Sequence, residues 1–272
     1  MANHLPLPVA RLPSWPLLLP LLPPVLLLGL WWLASSHALV ELPDPLTVVR
    51  EGWPLLKSPF TIAGPSEVGL GWLVLYSLGR VALGFGLALL VAVPMGLAIG
   101  SSGTAMQMCD PTIQGIKSVS PLAWLPVGLA ALHHSEMAAI FVIFITSLCP
   151  LVLNTALGVR SIPKGYWKLA RVLDLPRRTV LGQIVVPVVL PYVFTGVRIS
   201  LGIAWMVIVA AEMLTGGEGI GAFVWNAWNN LNLSALMLSI GVIGLTGVAI
   251  DRLTLGLAHR CCGSSALSGE VH

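Results

Sequence analysis

The chain has 272 residues, of which 56% are hydrophobic and only 9% charged. That is about a third of the charge of an average globular protein, and more apolar surface than a water-soluble domain of this size can hide. The net charge of +3 is too small to serve a nucleic-acid surface. Its four cysteines, Cys109, Cys149, Cys261 and Cys262, form neither a paired framework nor a metal spacing such as CxxC. What remains is a chain solvated by lipid, its cysteines reduced.

A helix crossing the roughly 30 Å hydrocarbon core needs about 20 apolar residues. In chain order the candidates are 16–34, 78–100, a weaker stretch 116–132 interrupted by Pro121 and Pro126, 137–159, 187–214 and 235–257. The reading is an all-α integral membrane protein with about six transmembrane helices. Ser36-His37-Ala38 resembles a cleavage site, but the apolar run before it is longer than a signal-peptide core, so a retained helix is expected. Residues 35–77, rich in Pro, Gly and Trp, read as an outside loop with room for a short interfacial helix. The chain divides into 1–77 (first helix and outside loop), a membrane core at 78–260, and a cytoplasmic tail at 261–272.

Cationic loops stay on the cytoplasmic side during insertion. Placing both termini inside puts Arg11, Lys117, the run at 160–178, Arg252 and Arg260 in the cytoplasm, and only Arg50 and Lys57 outside. Trp225 and Trp228, beside Asn226, Asn229 and Asn230, then sit at the outer interface.

Catalytic signatures are missing. HExxH, GxSxG and the phosphate-cradling GxxxxGK[ST] do not occur, so the chain has no visible nucleotide-binding loop of its own. Gly217, Gly219 and Ala222 match GxGxxA, but without the preceding strand that gives the pattern meaning. His133, His134 and Glu136 read as a solvated polar turn in preference to a metal site.

Charges inside apolar runs are more informative, since each costs about 2.5 kcal/mol or more to insert. Arg198 lies eleven positions beyond Pro187, roughly 16 Å deep. It is either an anion-attracting residue on a translocation path or a helix-pairing residue. Glu212 precedes the glycine-rich run 216–221, where it either serves a gate or caps the turn. Arg80 reads as an anchor that snorkels to the outer boundary. Gly96 and Gly100 allow close helix packing.

Six of the 14 basic residues fall in 160–178, namely Arg160, Lys164, Lys168, Arg171, Arg177 and Arg178, with Asp174 the only acid among them. Ser161 and Pro163 supply helix-start chemistry, and Ile162, Tyr166, Leu169, Ala170 and Leu173 recur at helical spacing before Pro176 stops the pattern. The product is a short amphipathic helix that either rests on anionic headgroups or is presented to a soluble partner.

The spacing from Lys168-Leu169-Ala170 through Asp174 to Ile184-Val185-Val186-Pro187 resembles the EAA motif of ABC importer permeases. Lys168 stands where that family has Glu, and Asp174 where it has Gly. The stretches SVSPLAWLPVGLA (118–130), FITSLCPLVLNTALGVRSIP (144–163) and GVRISLGIAWMVIVAAEMLTGGEGIGAFVWNAWNN (196–230) are similar to the nitrate, bicarbonate and cyanate branch, itself related to sulfonate and taurine permeases.

This resemblance implies the type I ABC importer permease (MetI-like) fold, with a cytoplasmic coupling helix seated on an ATPase subunit. The implied function is ATP-driven import of nitrate or nitrite, with bicarbonate, cyanate or a sulfonate as alternatives, in a bacterial or cyanobacterial inner membrane. Implied partners are two ATPase subunits that bind the ATP and Mg, an extracytoplasmic solute-binding protein and a second permease copy. No cofactor or metal of its own and no nucleic acid are expected. The coupling loop comprises Tyr166, Lys168, Leu169, Ala170, Arg171, Asp174, Ile184 and Pro187, and the expected path residues are Arg198, Glu212, Asn154 and Trp205. A competing class, the ion-coupled secondary transporter, needs its own ion site and often repeated halves; neither is visible. An intramembrane enzyme lacks a catalytic constellation.

Overall fold

A computed structural model describes residues 22–36, 42–64 and 67–262. Among the described residues, four helices are long and apolar enough to cross a membrane: α3 (Leu70–Ser101), α6 (Ser135–Arg160), α9 (Val186–Thr215, continuous with the segment from Arg178) and α11 (Leu233–Cys262). The 15-residue apolar α1 (Leu22–Ser36) precedes them. Residues 16–21 of the expected first span, and the cleavage-like His37-Ala38, lie outside the described residues.

Helices α3, α6 and α9 form the centre, with α11 and the short α10 (Ile220–Asn229) against α9. In lipid, helices gain nothing hydrophobic by touching, so close approach of small residues drives their association. Along α3, Gly84, Ala88, Ala92, Gly96 and Gly100 recur every fourth residue and are all buried. A Cβ on Gly96 would lie 2.5 Å from the Thr155 Cβ, and one on Gly100 only 2.8 Å from the Ala156 carbonyl oxygen. The Gly96/Gly100 pair is therefore where α3 lies directly on α6.

The loop before α3 is shorter than the sequence implied. The run 70–75 is apolar, so the helix starts directly after Gly69, and the expected boundary at 77/78 falls inside it. The loop holds the anticipated amphipathic helix, α2 (Pro45–Lys57), whose Asp44 N-cap accepts from the Thr47 N–H at 3.4 Å. Gly52 lies against Leu238 of α11, and Val48 belongs to the same buried cluster as Leu238. A small hairpin, β1 (Ile62–Gly64) and β2 (Glu67–Val68), pairs Ile62 with Val68 and was not anticipated.

The expected single span at 116–132 is a bent pair instead. α4 (Gly103–Ser118) and α5 (Trp124–Leu132), linked by a 3₁₀ turn at Pro121–Ala123, meet at 87°. Gln107, Asp110 and Gln114 make α4 too polar to register as a span, and Pro121 cannot continue a helix. The break corrects one assignment. Lys117 is not at a bundle end but beside Thr146, Cys149 and Pro150, the middle of α6.

At one end of the bundle α6 passes into α7 (Lys164–Val172), then α8 (Arg177–Val180), then a π-helical turn (Leu181–Val185) that opens α9. Pro187 has no N–H to donate and its ring crowds the carbonyl of Gln183, so the wider turn just before it lets the helix run on.

Candidate functional site

The loop helix forms as its pattern implied, with one face turned in. Ala170 is buried with Val159, Ile162, Ile184, Val185 and Val189, so α7 is fastened at once to the end of α6 and the start of α9. A larger side chain at 170 would push it off, which explains alanine at that point of the motif. Tyr166, Trp167, Leu169, Val172 and Leu173 face outward, together with the exposed Lys168 and Arg171. Of the expected coupling residues, Ala170 and Ile184 hold the helix from within, while Tyr166, Lys168, Leu169, Arg171, Asp174 and Pro187 lie on the surface.

Asp174 has φ 47°, in the left-handed region. The Leu175 N–H donates to the Ala170 carbonyl at 3.0 Å and the Asp174 N–H to the Arg171 carbonyl at 3.3 Å. This is a Schellman ending, whose left-handed position favours glycine and tolerates Asp or Asn. The departure from the motif's glycine thus preserves the backbone turn.

Glu212 lies at the other end, 2% exposed. Its carboxylate accepts from the Ser77 hydroxyl at 2.8 Å, from Arg80 Nη1 at 2.8 Å and from the Gly221 N–H at 3.0 Å. Arg80 also donates from Nη2 to Glu136 at 2.9 Å and from Nη1 to the Glu218 carbonyl. Ser77 in turn accepts from the Ile220 N–H. The glycine-rich run wraps this carboxylate so tightly that a Cβ on Gly219 would lie 2.3 Å from the Glu212 carboxyl carbon. Gly219 and Gly221 serve close approach, Gly216 and Gly217 take the left-handed backbone of the turn at φ 71° and 90°, and the GxGxxA match has no other content. Two sequence readings change here. Arg80 is the cation of a caged cluster with a side chain 13% exposed, not a lipid-facing anchor. Glu136 is its second counter-ion, and His133 closes α5 in the left-handed conformation. Among the described residues no group of three metal-ligating side chains is found.

Arg198 pairs with Asp251 of α11, Nε to Oδ1 at 2.6 Å and Nη2 to Oδ2 at 3.2 Å. Both lie roughly half exposed on a cavity of about 650 Å³ between α9 and α11, lined also by Thr195, Ile203, Met206 and His259. The sequence offered both a path and a pairing role, and the side chain does pair. Asp251 was missed, although a carboxylate inside the apolar run 235–257 is itself a demand for a cation. Trp205 is 4% exposed and donates to the Ile243 carbonyl at 3.1 Å, which closes the α9–α11 contact. Asn154 donates to the Pro150 carbonyl at 2.8 Å and faces Gly196 across the α6–α9 contact. The four expected path residues are therefore not brought together at one place.

Helices arranged in this way, with a loop helix on one end and charges paired in the interior, define a polytopic membrane protein of the type I ABC importer permease fold. The methionine ABC transporter MetNI, solved in inward-facing conformations, matches at TM-score 0.61 and 14% identity over 70% of this chain and 95% of that one. An amino acid ABC transporter crystallised with histidines matches at TM-score 0.56 and 14% identity, over 80% and 99%. The chain belongs to the family of binding-protein-dependent transport system inner membrane components, whose pattern matches residues 84–257. It is similar to the nitrate import permease protein NrtB of Leptolyngbya laminosa, 44% identical over 234 residues, which is 86% of this chain and 84% of the relative. It is also similar to the bicarbonate transport system permease protein CmpB of Synechocystis sp., 41% identical over 246 residues, 88% and 87% of the two chains.

Proposed function

We propose that this chain is the membrane-spanning subunit of an ATP-driven importer for a small oxyanion, nitrate first. The observation that carries the reading is the 44% identity to a nitrate import permease over most of both chains. The geometry supports it. α7 is a fixed, outward-facing amphipathic helix joined to the ends of two spanning helices, which is what transmission from a soluble motor requires. In this reading the α7 end lies in the cytoplasm of a bacterial or cyanobacterial cell and two ATPase subunits dock there. A solute-binding protein delivers the anion at the Glu212 end, and a second copy of the chain completes the path. ATP chemistry belongs to the motor.

Bicarbonate is the second reading, favoured by 41% identity to a bicarbonate permease over a similar length. The two differ in uptake by the complex reconstituted in vesicles with its motor and binding protein. Labelled nitrate should accumulate only with ATP, and labelled bicarbonate should not compete. Accumulation of bicarbonate alone would replace nitrate as substrate, and uptake driven by an ion gradient without the motor would overturn the importer reading.

A further inference from the structure

Arg80, Arg198 and Lys117 are cations set along the helices of the bundle, and they differ in how they are neutralised. Arg80 has Glu212 and Glu136, and Arg198 has Asp251. Lys117 has no carboxylate within 4 Å among the described residues. It is exposed, at the last turn of α4. Its depth follows from its neighbours. Thr146 is eleven residues from the Ser135 end of α6 and Cys149 eleven from the Arg160 end, each roughly 16 Å along the axis. Lysine 117 therefore stands at the centre of the bundle's thickness, where an ammonium facing hydrocarbon is strongly disfavoured and a water-lined path is the usual reason for one.

The bend after Lys117 opens the space it occupies. Because α4 stops and α5 leaves at 87°, a cavity of about 160 Å³ is left against α6 and α9, walled by Trp124, Thr146, Cys149, Pro150 and Ile203. At roughly 30 Å³ per water this has the volume of about five waters, room for a four-atom oxyanion that keeps part of its hydration. The walls are largely apolar, and the proton of the Thr146 hydroxyl is donated to the Val142 carbonyl at 2.8 Å. Ile203 also lines the larger cavity that holds Arg198, so the two spaces adjoin.

We propose that Lys117 is the mid-membrane anion-selecting residue of this chain, holding a small monovalent oxyanion by one charge-assisted hydrogen bond at the break between α4 and α5. One positive charge without a resident counter-ion admits an anion and excludes a cation. A single contact in an otherwise apolar cavity holds it weakly enough to be released. This rests on the proposed importer reading, and it adds the residue that discriminates charge.

The test uses the complete complex in vesicles. Lys117→Cys, in a chain whose Cys109, Cys149, Cys261 and Cys262 are replaced by Ser or Ala, is challenged with an anionic thiosulfonate and with an uncharged, lipid-soluble maleimide. The expected result is reaction with the anionic reagent, because the position lies on a water-filled path and not in lipid. In the native-cysteine chain, Lys117→Gln should lower nitrate uptake about tenfold, and Lys117→Arg should retain most of it, with co-purification of the motor unchanged in both. Reaction with the maleimide alone would place the residue in lipid and overturn the proposal, as would wild-type uptake by Lys117→Gln. Uptake of another small oxyanion that falls about tenfold in Lys117→Gln, in a complex that takes up no nitrate, would uphold the role of Lys117 while removing nitrate as substrate.

Discussion

Removing the Glu212 carboxylate is the most direct probe of how the bundle is closed at the end away from α7. Glu212→Ala leaves Arg80 with only the exposed Glu136 as counter-ion, and it strands the Gly221 N–H beside a small void. Taking one partner out of a buried pair costs about 3–5 kcal/mol, and the remaining Glu136 contact argues for the lower end, about 3 kcal/mol. At roughly 2 °C per kcal/mol for a chain of this length, the melting midpoint should fall by roughly 6 °C. Thermal unfolding of the detergent-purified protein, followed by loss of the monodisperse peak, measures it. Glu212→Gln keeps the volume and an acceptor for Gly221, so it should lose only about half as much. Arg80→Ala strands the buried carboxylate in the same way, and the double variant should be less destabilised than the sum of the two by about 1–3 kcal/mol. A midpoint within 1 °C of wild type for Glu212→Ala, or full additivity in the double variant, would refute the cage.

Gly96→Leu should abolish recovery of monodisperse protein, because even a Cβ there would meet Thr155 at 2.5 Å and the Val152 carbonyl at 2.9 Å; yield on size exclusion reports it. Asp174→Gly should leave the melting midpoint unchanged or raise it by about 1 °C, whereas Asp174→Val should lower it, since a β-branched residue resists the left-handed turn. Reversing the charges of Lys168, Arg171 and Arg178 should reduce co-purification of the motor by roughly tenfold with insertion intact, as like charges at an interface rim do. Arg198→Ala should lower anion uptake while the complex still assembles, and the charge-swapped pair Arg198→Asp with Asp251→Arg should recover assembly but not full uptake, as measured on vesicles.

Where the sequence was readable, the same physics acted in sequence and structure. Long apolar runs become α3, α6, α9 and α11 because lipid leaves a backbone no other way to satisfy its hydrogen bonds. The α7 pattern survived because a short amphipathic helix between prolines has few alternatives. The every-fourth-residue glycines and alanines of α3 are a packing code that needs no partner to be recognised. The bent pair was hidden because α4 is too polar for hydropathy, and its depth is set by packing on α6. The charge tally that sent Lys117 to the cytoplasm assumed that a lysine before an apolar run marks a loop.

The paired charges show why site residues were harder to find than helices. Arg80 and Glu212 are 132 positions apart and Arg198 and Asp251 are 53 apart. Neither spacing carries a signal, because interhelical pairing depends on rotation of each helix about its own axis. What sequence does supply is a balance sheet for charge in apolar runs. Arg80, Lys117, Arg198 and Arg252 stand against Asp110, Glu212 and Asp251, so pairing one to one leaves a cation over. Glu136, at the first turn of α6 and largely exposed, adds its charge at the boundary to Arg80, which already has a partner, and is too far along the axis to serve the middle. Geometry then decides the pairing: Arg80 and Arg198 sit on helices that pack against a carboxylate-bearing neighbour, whereas Lys117 sits where a broken helix faces threonine, proline and tryptophan. An anion that crosses this bundle meets, at that depth, a positive charge with no carboxylate within 4 Å among the described residues.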